Sequence, residues 1–334
     1  MAFFEVARVE EFGPMQLWGG REGLLTALYL ATTGRGGVAR MFRHPLGASP
    51  QVWLDDAAPE GAETLHKMRD LDGRVFCFFE TGPEGSSCVI SRDDADPTAA
   101  WGFEPIGNEP DFVGGRALEV HPSGQLAAGG SGLWNEGTRN GKLFVGTPGV
   151  AGSFSEVRAL DPPSIAWEVV RLSNGVVWEF WNGIEGTTTS PHAFRDGLDT
   201  IAPPGDCAVA DEFQDYLYVG TLDANVVRTP ISSVEWGTVF TVDAEGIDHV
   251  VWVPRGDGEL WVTGHAPLKV YKSLDGTTFE EQLIPGNPDC SGDDNNLTAV
   301  AYFQHAVWVA TRDANLGLIR IYVDRPQDII LQVI

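Results

Sequence analysis

Apolar positions along the chain come in runs of four to seven residues, and the runs are separated by Gly, Asp, Asn and Pro rather than by helical spacers. Val, Leu, Phe, Trp and Thr dominate the runs, and no long stretch repeats its apolar residues with the helical period. The pattern predicts short β-strands throughout. Seven segments share a turn followed by a strand with an aromatic-rich middle: "TALYLA", "DGRVFCF", "SGQLAAG", "NGVVWEF", "QDYLYVG", "DGELWVT" and "QHAVWVA". Their anchors are Leu28, Val75, Leu126, Val177, Leu217, Leu260 and Val307, spaced 47, 51, 51, 40, 43 and 47 residues apart.

Each copy parses alike. A first strand such as "TLHKMR", "ALEVHP", "AWEVVR", "DHVVWV" or "LTAVAYF" runs into a tight turn, often Asp-Gly or Asn-Gly, which suits a two-residue hairpin. The anchor strand follows. A third strand ("SCVIS", "NVVRT", "LKVYKS", "LIRIY") then reaches a second turn, and a fourth strand opens with Trp101, Phe154, Trp236 or Phe279. Four short strands at this period predict an all-β chain folded as a seven-bladed β-propeller of four-stranded antiparallel blades. The blades fall near residues 10–56, 62–108, 115–161, 165–204, 206–243, 247–285 and 296–334 of one domain. "LGLIRIYV" and "DIILQVI" offer the last blade its third and fourth strands, and residues 3–9, "FFEVARV", are left to close the ring along its edge.

The residue after each anchor is Tyr29, Phe76, Ala127, Trp178, Tyr218, Trp261 or Trp308, so every copy but the third places a ring there. Large flat side chains at this position predict mortar between blades rather than a cofactor site. The ring at the head of a fourth strand is expected to tuck beneath its own hairpin, while Asp and Ser side chains satisfy the turn's N–H groups. "SLDGTTF", Ser273 to Phe279, resembles the Asp-box hairpin of sialidases and many other propellers, with Gly directly after Asp275 and Phe in place of Trp. Weaker echoes stand at 91–101 and 228–236. The resemblance implies architecture, since the motif in that family is a folding element away from the active site. The arginine triad and the Tyr–Glu nucleophile that sialidase activity would imply have no assignable counterparts here.

Composition narrows the partners. The 334 residues carry 47 acidic against 22 basic side chains, a net charge of −25. Such a surface repels phosphate backbones and anionic lipid, so nucleic acid and membrane insertion are not expected. No stretch approaches the 18 apolar residues of a membrane span, and the start "MAFFEVARVEEFGP" lacks the basic and apolar regions of a signal peptide, so synthesis in the cytoplasm is expected. An acidic, lysine-poor surface also suits a saline host. Cys77 and Cys88 are placed to face each other across a hairpin, Cys207 and Cys290 have no evident mates, and small-residue packing is the expected role of all four.

Three groups of residues are candidates for chemistry. The long loops between strands two and three of blades 3 and 4, "GGSGLWNEGTRNG" and "WNGIEGTTTSPH", share a Trp-Asn start. Trp134, Asn135, Glu136 and Arg139 with Trp181, Asn182 and Glu185 offer rings and polar groups of the kind a sugar needs, and the plainer reading folds each Trp onto its own blade. On the inner strands Glu119 and Glu168 occupy matching positions, with Asp211 and Glu212 on the next blade, as an acid and a nucleophile of a glycosidase would. The loop "NPDCSGDDNN" holds Asp289, Asp293 and Asp294, oxygen ligands suited to calcium but without EF-hand spacing. No other cofactor is expected, because the seven histidines lack metal-ligand spacing and no phosphate loop or nucleophile elbow is present.

The expected function is that of a non-enzymatic binding or structural propeller. By analogy with bare propellers of tailed viruses, the leading expectation is a virion component, a tail-fibre, receptor-binding or capsid-decorating protein. It would contact other structural proteins of an assembly and a cell-surface glycan. The alternatives are a lectin or glycoside hydrolase using the loops above, and an intracellular protein scaffold.

Overall fold

The computed structural model describes residues 3–325 except 12, 22, 34–39, 57–61, 82–87, 97, 107–111, 133–140, 149, 151, 161–163, 184–190, 286–297 and 314–315. Its strands form seven antiparallel four-stranded blades in a ring. The innermost strands are Gly13–Trp18, Ala62–Leu71, Phe112–Val120, Ser164–Arg171, Cys207–Phe213, Gly246–Val253 and Thr298–Phe303. Each pairs with the anchor strand that follows it, and the third and fourth strands continue outward. The first two blades are also joined by a single bridge between Thr33 and Thr64.

Ring closure differs from the sequence expectation in one respect. Phe4–Val9 does more than line the edge of the last blade: it is that blade's fourth strand, paired with Ile319–Val323 through a bulge at Val6. Residues 328–334, to which the sequence assigned that place, lie outside the described residues. The strand brings Phe3 onto Trp261, with ring centres 5.9 Å apart and nearly perpendicular, and Glu5 onto Arg320 at 2.9 Å.

Between blades the core is a series of wedges filled from both sides. All seven anchors are buried, and the residue after each is at most 2% exposed, Ala127 included. Of the rings heading the fourth strands, Phe154 lies over Gly146 of its own hairpin, but the other three do not stay beneath theirs. They cross to the preceding blade: Trp101 meets Tyr29, Trp236 meets Trp178, and Phe279 stacks on Phe240 at 4.6 Å. The twist between neighbouring sheets leaves a gap that widens outward, and a ring reaching back from the next blade is what fills it.

The turn from Ser273 to Phe279 makes the local hydrogen bonds its residues predict. Asp275 accepts from the Thr277 and Thr278 amides at 2.8 and 2.7 Å, and these bonds hold its carboxyl well below the usual carboxylate range. The Gly276 amide donates to Ser273 Oγ at 2.8 Å. Gly276 sits at φ +69°, where a Cβ would come within 1.8 Å of Tyr218 Oη, so the turn docks against the preceding blade by virtue of that glycine.

The cysteines do not form the pair suggested by the hairpin. In the observed register Cys77 lies opposite Ile90 and Cys88 opposite Phe79, so the two are out of step. Cys77 and Cys207 are free and buried, and burial raises both thiols above their ordinary range.

Candidate functional site

The first strands of the blades surround a channel whose described cavity measures about 760 Å³. It opens among the turns that join strands one and two, beside Arg21, Asp72, Ser173, Gln214 and Asp257. That is the face opposite the long strand-two-to-three loops. Loop length pointed to the other face, but the width of a channel is set by side chains along the inner strands, which loop length does not report.

Alternation along an inner strand turns every second residue toward the axis. On Ala62–Leu71 this brings Lys67 and Arg69 to the channel wall, and both meet carboxylates from other blades. Lys67 Nζ lies 2.6 Å from Glu168 of blade 4, reaching past blade 3, and Arg69 Nε lies 3.0 Å from Glu119 of blade 3. From the loop after the first strand of blade 1, Arg21 extends across the mouth. It donates to the Arg171 carbonyl at 3.2 Å and lies 3.7 Å from Asp211 of blade 5.

Glu119, Glu168 and Asp211 are thus brought to one channel, as their positions suggested, and each faces a cation there. Asp211 also accepts from the Trp252 and Glu212 amides at 2.7 and 2.8 Å. Burial raises its pKa, with Arg21 opposing. Burial works against the charge of Arg69, yet Glu119, Glu168 and Asp211 together hold its pKa above the ordinary value. Trp18 covers Arg69 with its ring 5.0 Å from the guanidinium and donates to Asp70 at 2.9 Å. Glu212 accepts from the Ser173 hydroxyl at 2.6 Å. A glycosidase needs one carboxyl held protonated and a second free to attack or to activate water. Here Glu119 and Glu168 tie blades 3 and 4 to blade 2, and Asp211 of blade 5 faces Arg21 of blade 1.

At the opposite ends of the inner strands, β-bulges turn residues toward the neighbouring blade. His66 Nδ1 lies 3.3 Å from Arg116, Arg116 lies 5.0 Å from the centre of the Trp167 ring, and Trp167 Nε1 donates to the Ala208 carbonyl at 3.1 Å. Four successive blades are linked in this way.

The proposed sugar residues fare differently. Trp134, Asn135, Glu136, Arg139 and Glu185 lie outside the described residues. Trp181 does not present its ring to solvent: it is 1% exposed, packs edge-on against Phe194 and takes the space that a Cβ at Gly141 would need, 2.6 Å from its ring. Asn182 is equally buried and bridges blades 4 and 5, donating to the Cys207 carbonyl at 2.7 Å and accepting from its amide at 3.0 Å. Trp181 is packed rather than presented, as the plainer reading has it, but it sits between blades, against Phe194 of its own blade and over Gly141 of blade 3. Asp289, Asp293 and Asp294 also lie outside the described residues. Among the described residues, no cluster of three or more His, Cys, Asp or Glu side chains could hold a metal ion.

Sequence reasoning named the anions of the channel and missed its cations. The signal was present: Lys67 is one of four lysines, and Lys67 and Arg69 alternate on a first strand. Arg21 had no such signal, because its reach across the ring exists only in the folded chain.

His249 supplies a pH prediction. Burial in the wall of the channel lowers its pKa from an ordinary 6.5 to about 4. The unfolded chain takes up a proton as pH falls through 6.5, whereas the folded one resists until about 4. Stability is therefore intact above neutrality and declines over that window, by about 3 kcal/mol at its lower end. His265 acts in the opposite sense, since its hydrogen bond to Asp248 raises its pKa and adds stability at lower pH. Urea unfolding of wild type and His249→Asn across pH 4–7 isolates the first effect: the variant is expected to lose much of the slope.

No protein-family model matches the chain, and no curated protein sequence matches it. Among solved structures it is similar to the Pan2 WD40 domain of Neurospora crassa, at 12% identity with a TM-score of 0.57, over 96% of this chain and 95% of that one. It is also similar to Sqt1 of Saccharomyces cerevisiae, at 10% identity with a TM-score of 0.56, over 97% and 99% of the two chains. At these identities the likeness concerns the fold, and with the strand order it identifies the chain as a seven-bladed β-propeller.

Proposed function

We propose that this propeller is a non-enzymatic protein-interaction scaffold. The observation that carries the reading is the state of the channel: Glu119, Glu168 and Asp211, the carboxylates best placed for chemistry, are engaged by Arg69, Lys67 and Arg21 in ties between blades. The rigid ring then acts through its surface. On the face where the channel opens, Leu24, Leu198 and Leu274 are 79, 73 and 62% exposed, and turns of the same face carry the exposed Asp72, Asp196 and Asp257. Aliphatic tips among carboxylates fit a polypeptide partner with apolar and basic residues. The similarity in fold to a WD40 domain agrees with this reading. It is preferred to the virion role, which rests on analogy alone, and to the lectin role, two of whose residues, Trp181 and Asn182, are buried.

Two measurements test it. Purified protein is expected to leave a panel of fluorogenic glycosides uncleaved; turnover that disappears in Glu168→Gln would replace the scaffold with an enzyme. Panning a random-peptide display library against the folded propeller is expected to enrich basic, apolar sequences whose binding falls in Asp72→Lys/Asp257→Lys. Enrichment of no sequence would count against an interaction surface.

A further inference from the structure

Six of the seven wedges between blades hold two rings at equivalent positions, one following the anchor and one at the head of the next blade's fourth strand. The pairs are Tyr29 with Trp101, Trp178 with Trp236, Trp261 with Phe3 and Trp308 with Trp53, at centroid distances of 6.3, 5.6, 5.9 and 6.2 Å. Phe76 shares a cluster with Phe154, and Tyr218 with Phe279. The wedge between blades 3 and 4 has neither ring. Ala127 follows the anchor there, and the fourth strand of blade 4 is entered through the tight turn Asp196-Gly197.

The vacancy is visible in three ways. A cavity of about 480 Å³ lies at this wedge, lined by Ala127, Leu143, Val145, Val169 and Val177. Val177 is 9% exposed where the other six anchors are at 0%. Val157, the bulge residue of blade 3's outer strand, lines the opening and is 54% exposed. Trp181 and Phe194 belong to the same cluster but leave this end open. Arg158 frames the opening, held by Glu179 at 2.8 Å and the Gly197 carbonyl at 2.9 Å, with its guanidinium 3.9 Å from the centre of the Phe194 ring.

We propose that this wedge is a socket for a tryptophan side chain, flanked by basic residues, on a partner polypeptide. The inference rests on the scaffold reading and locates one of its contacts. The other six wedges show what such a gap accepts: a large ring, whose indole N–H finds an acceptor in Trp101, at the Asp56 carbonyl, and in Trp236, at the Ile201 carbonyl, but none among the described residues in Trp53 or Trp178. The open end of this wedge has Glu179, which also accepts from Arg158 and Trp181, and Asp196, which also accepts from the Val177 amide, in that role. The volume lies within the range of about 300–1,000 Å³ usual for ligand pockets. A polypeptide suits it better than a free ring compound, because Val157 and the neighbouring Leu198, 73% exposed, need cover from residues beside the anchor. Exposed Asp196 on the rim and the net charge of −25 favour basic flanks.

The test uses the whole protein with methyl-labelled Leu and Val, titrated with the peptide Ac-Lys-Trp-Lys-NH2, with Ac-Lys-Ala-Lys-NH2 and with free indole. The Trp peptide is expected to shift the methyls of Leu143, Val157 and Val177 saturably, and the Ala peptide to leave them in place. Ala127→Trp, which fills the wedge from within, is expected to weaken binding at least about tenfold while the thermal midpoint rises or holds. Val157→Asp, at an exposed position where folding is not at stake, is expected to weaken it as well. Equal shifts with the Ala peptide, or binding unchanged in both variants, would overturn the socket. Shifts with indole but not with the Trp peptide would overturn the polypeptide assignment and weigh against the scaffold reading at this wedge. No response to any probe would remove the socket and leave the scaffold reading to the display experiment.

Discussion

Deletion of residues 1–10 is expected to lower the thermal midpoint sharply and to expose an aggregating edge. The segment supplies the fourth strand of the last blade, and with it Phe3 and Val9, which are 2% and 5% exposed. Two such side chains are worth about 3–6 kcal/mol between them, a large part of the roughly 5–15 kcal/mol that keeps a typical domain folded. The loss falls at two seams: Phe3 packs on Trp261 between blades 6 and 7, and Val9 shares a cluster with Trp308 between blades 7 and 1. The third strand of that blade, Leu318–Val323, would then present unpaired backbone groups to solvent. Calorimetry with light scattering reads both effects. An unchanged midpoint in the truncated protein would mean that the ring closes without this strand.

The second large effect belongs to the channel. Lys67→Met leaves Glu168, whose side chain is fully buried, without its cation, and the expected cost is about 3–5 kcal/mol. The double substitution Lys67→Met/Glu168→Leu removes the orphaned charge and is expected to recover most of that loss, since a buried ion pair and an apolar pair of similar size are often nearly equivalent. Urea unfolding of wild type, single and double variants decides the matter. If the double variant is as weak as the single one, the tie between blades 2 and 4 depends on packing rather than on paired charge.

Both expectations arise from contacts between residues far apart in the chain, and here the sequence and the structure part company. Blade number was legible because each blade repeats the same local instructions: an apolar anchor, a ring after it, a turn that only certain residues can make. Leu28 through Val307 announced the count, and the Ser273–Phe279 turn announced its own hydrogen bonds, since Asp275 and Ser273 serve amides within three residues of themselves. The rings after the anchors were legible as mortar, whereas those heading the fourth strands were expected beneath their own hairpins and not on the preceding blade.

The site was legible only in part. Glu119, Glu168 and Asp211 could be placed on inner strands from register, but their partners could not. Lys67 meets Glu168 across 101 positions of chain, and Arg21 meets the Arg171 carbonyl across 150. Trp181 read as a loop residue because the chain turns polar just after it; its burial follows from Gly141 on the neighbouring blade making room. What this sequence determined alone is whatever rests on neighbours in the chain: strands, turns, the sevenfold repeat and the acidic surface. The tertiary structure decided the rest: which strand closes the ring, which cations neutralise the channel, and which wedge is left unfilled. Those outcomes depend on side chains meeting across blades, and periodicity along a chain does not encode such distances.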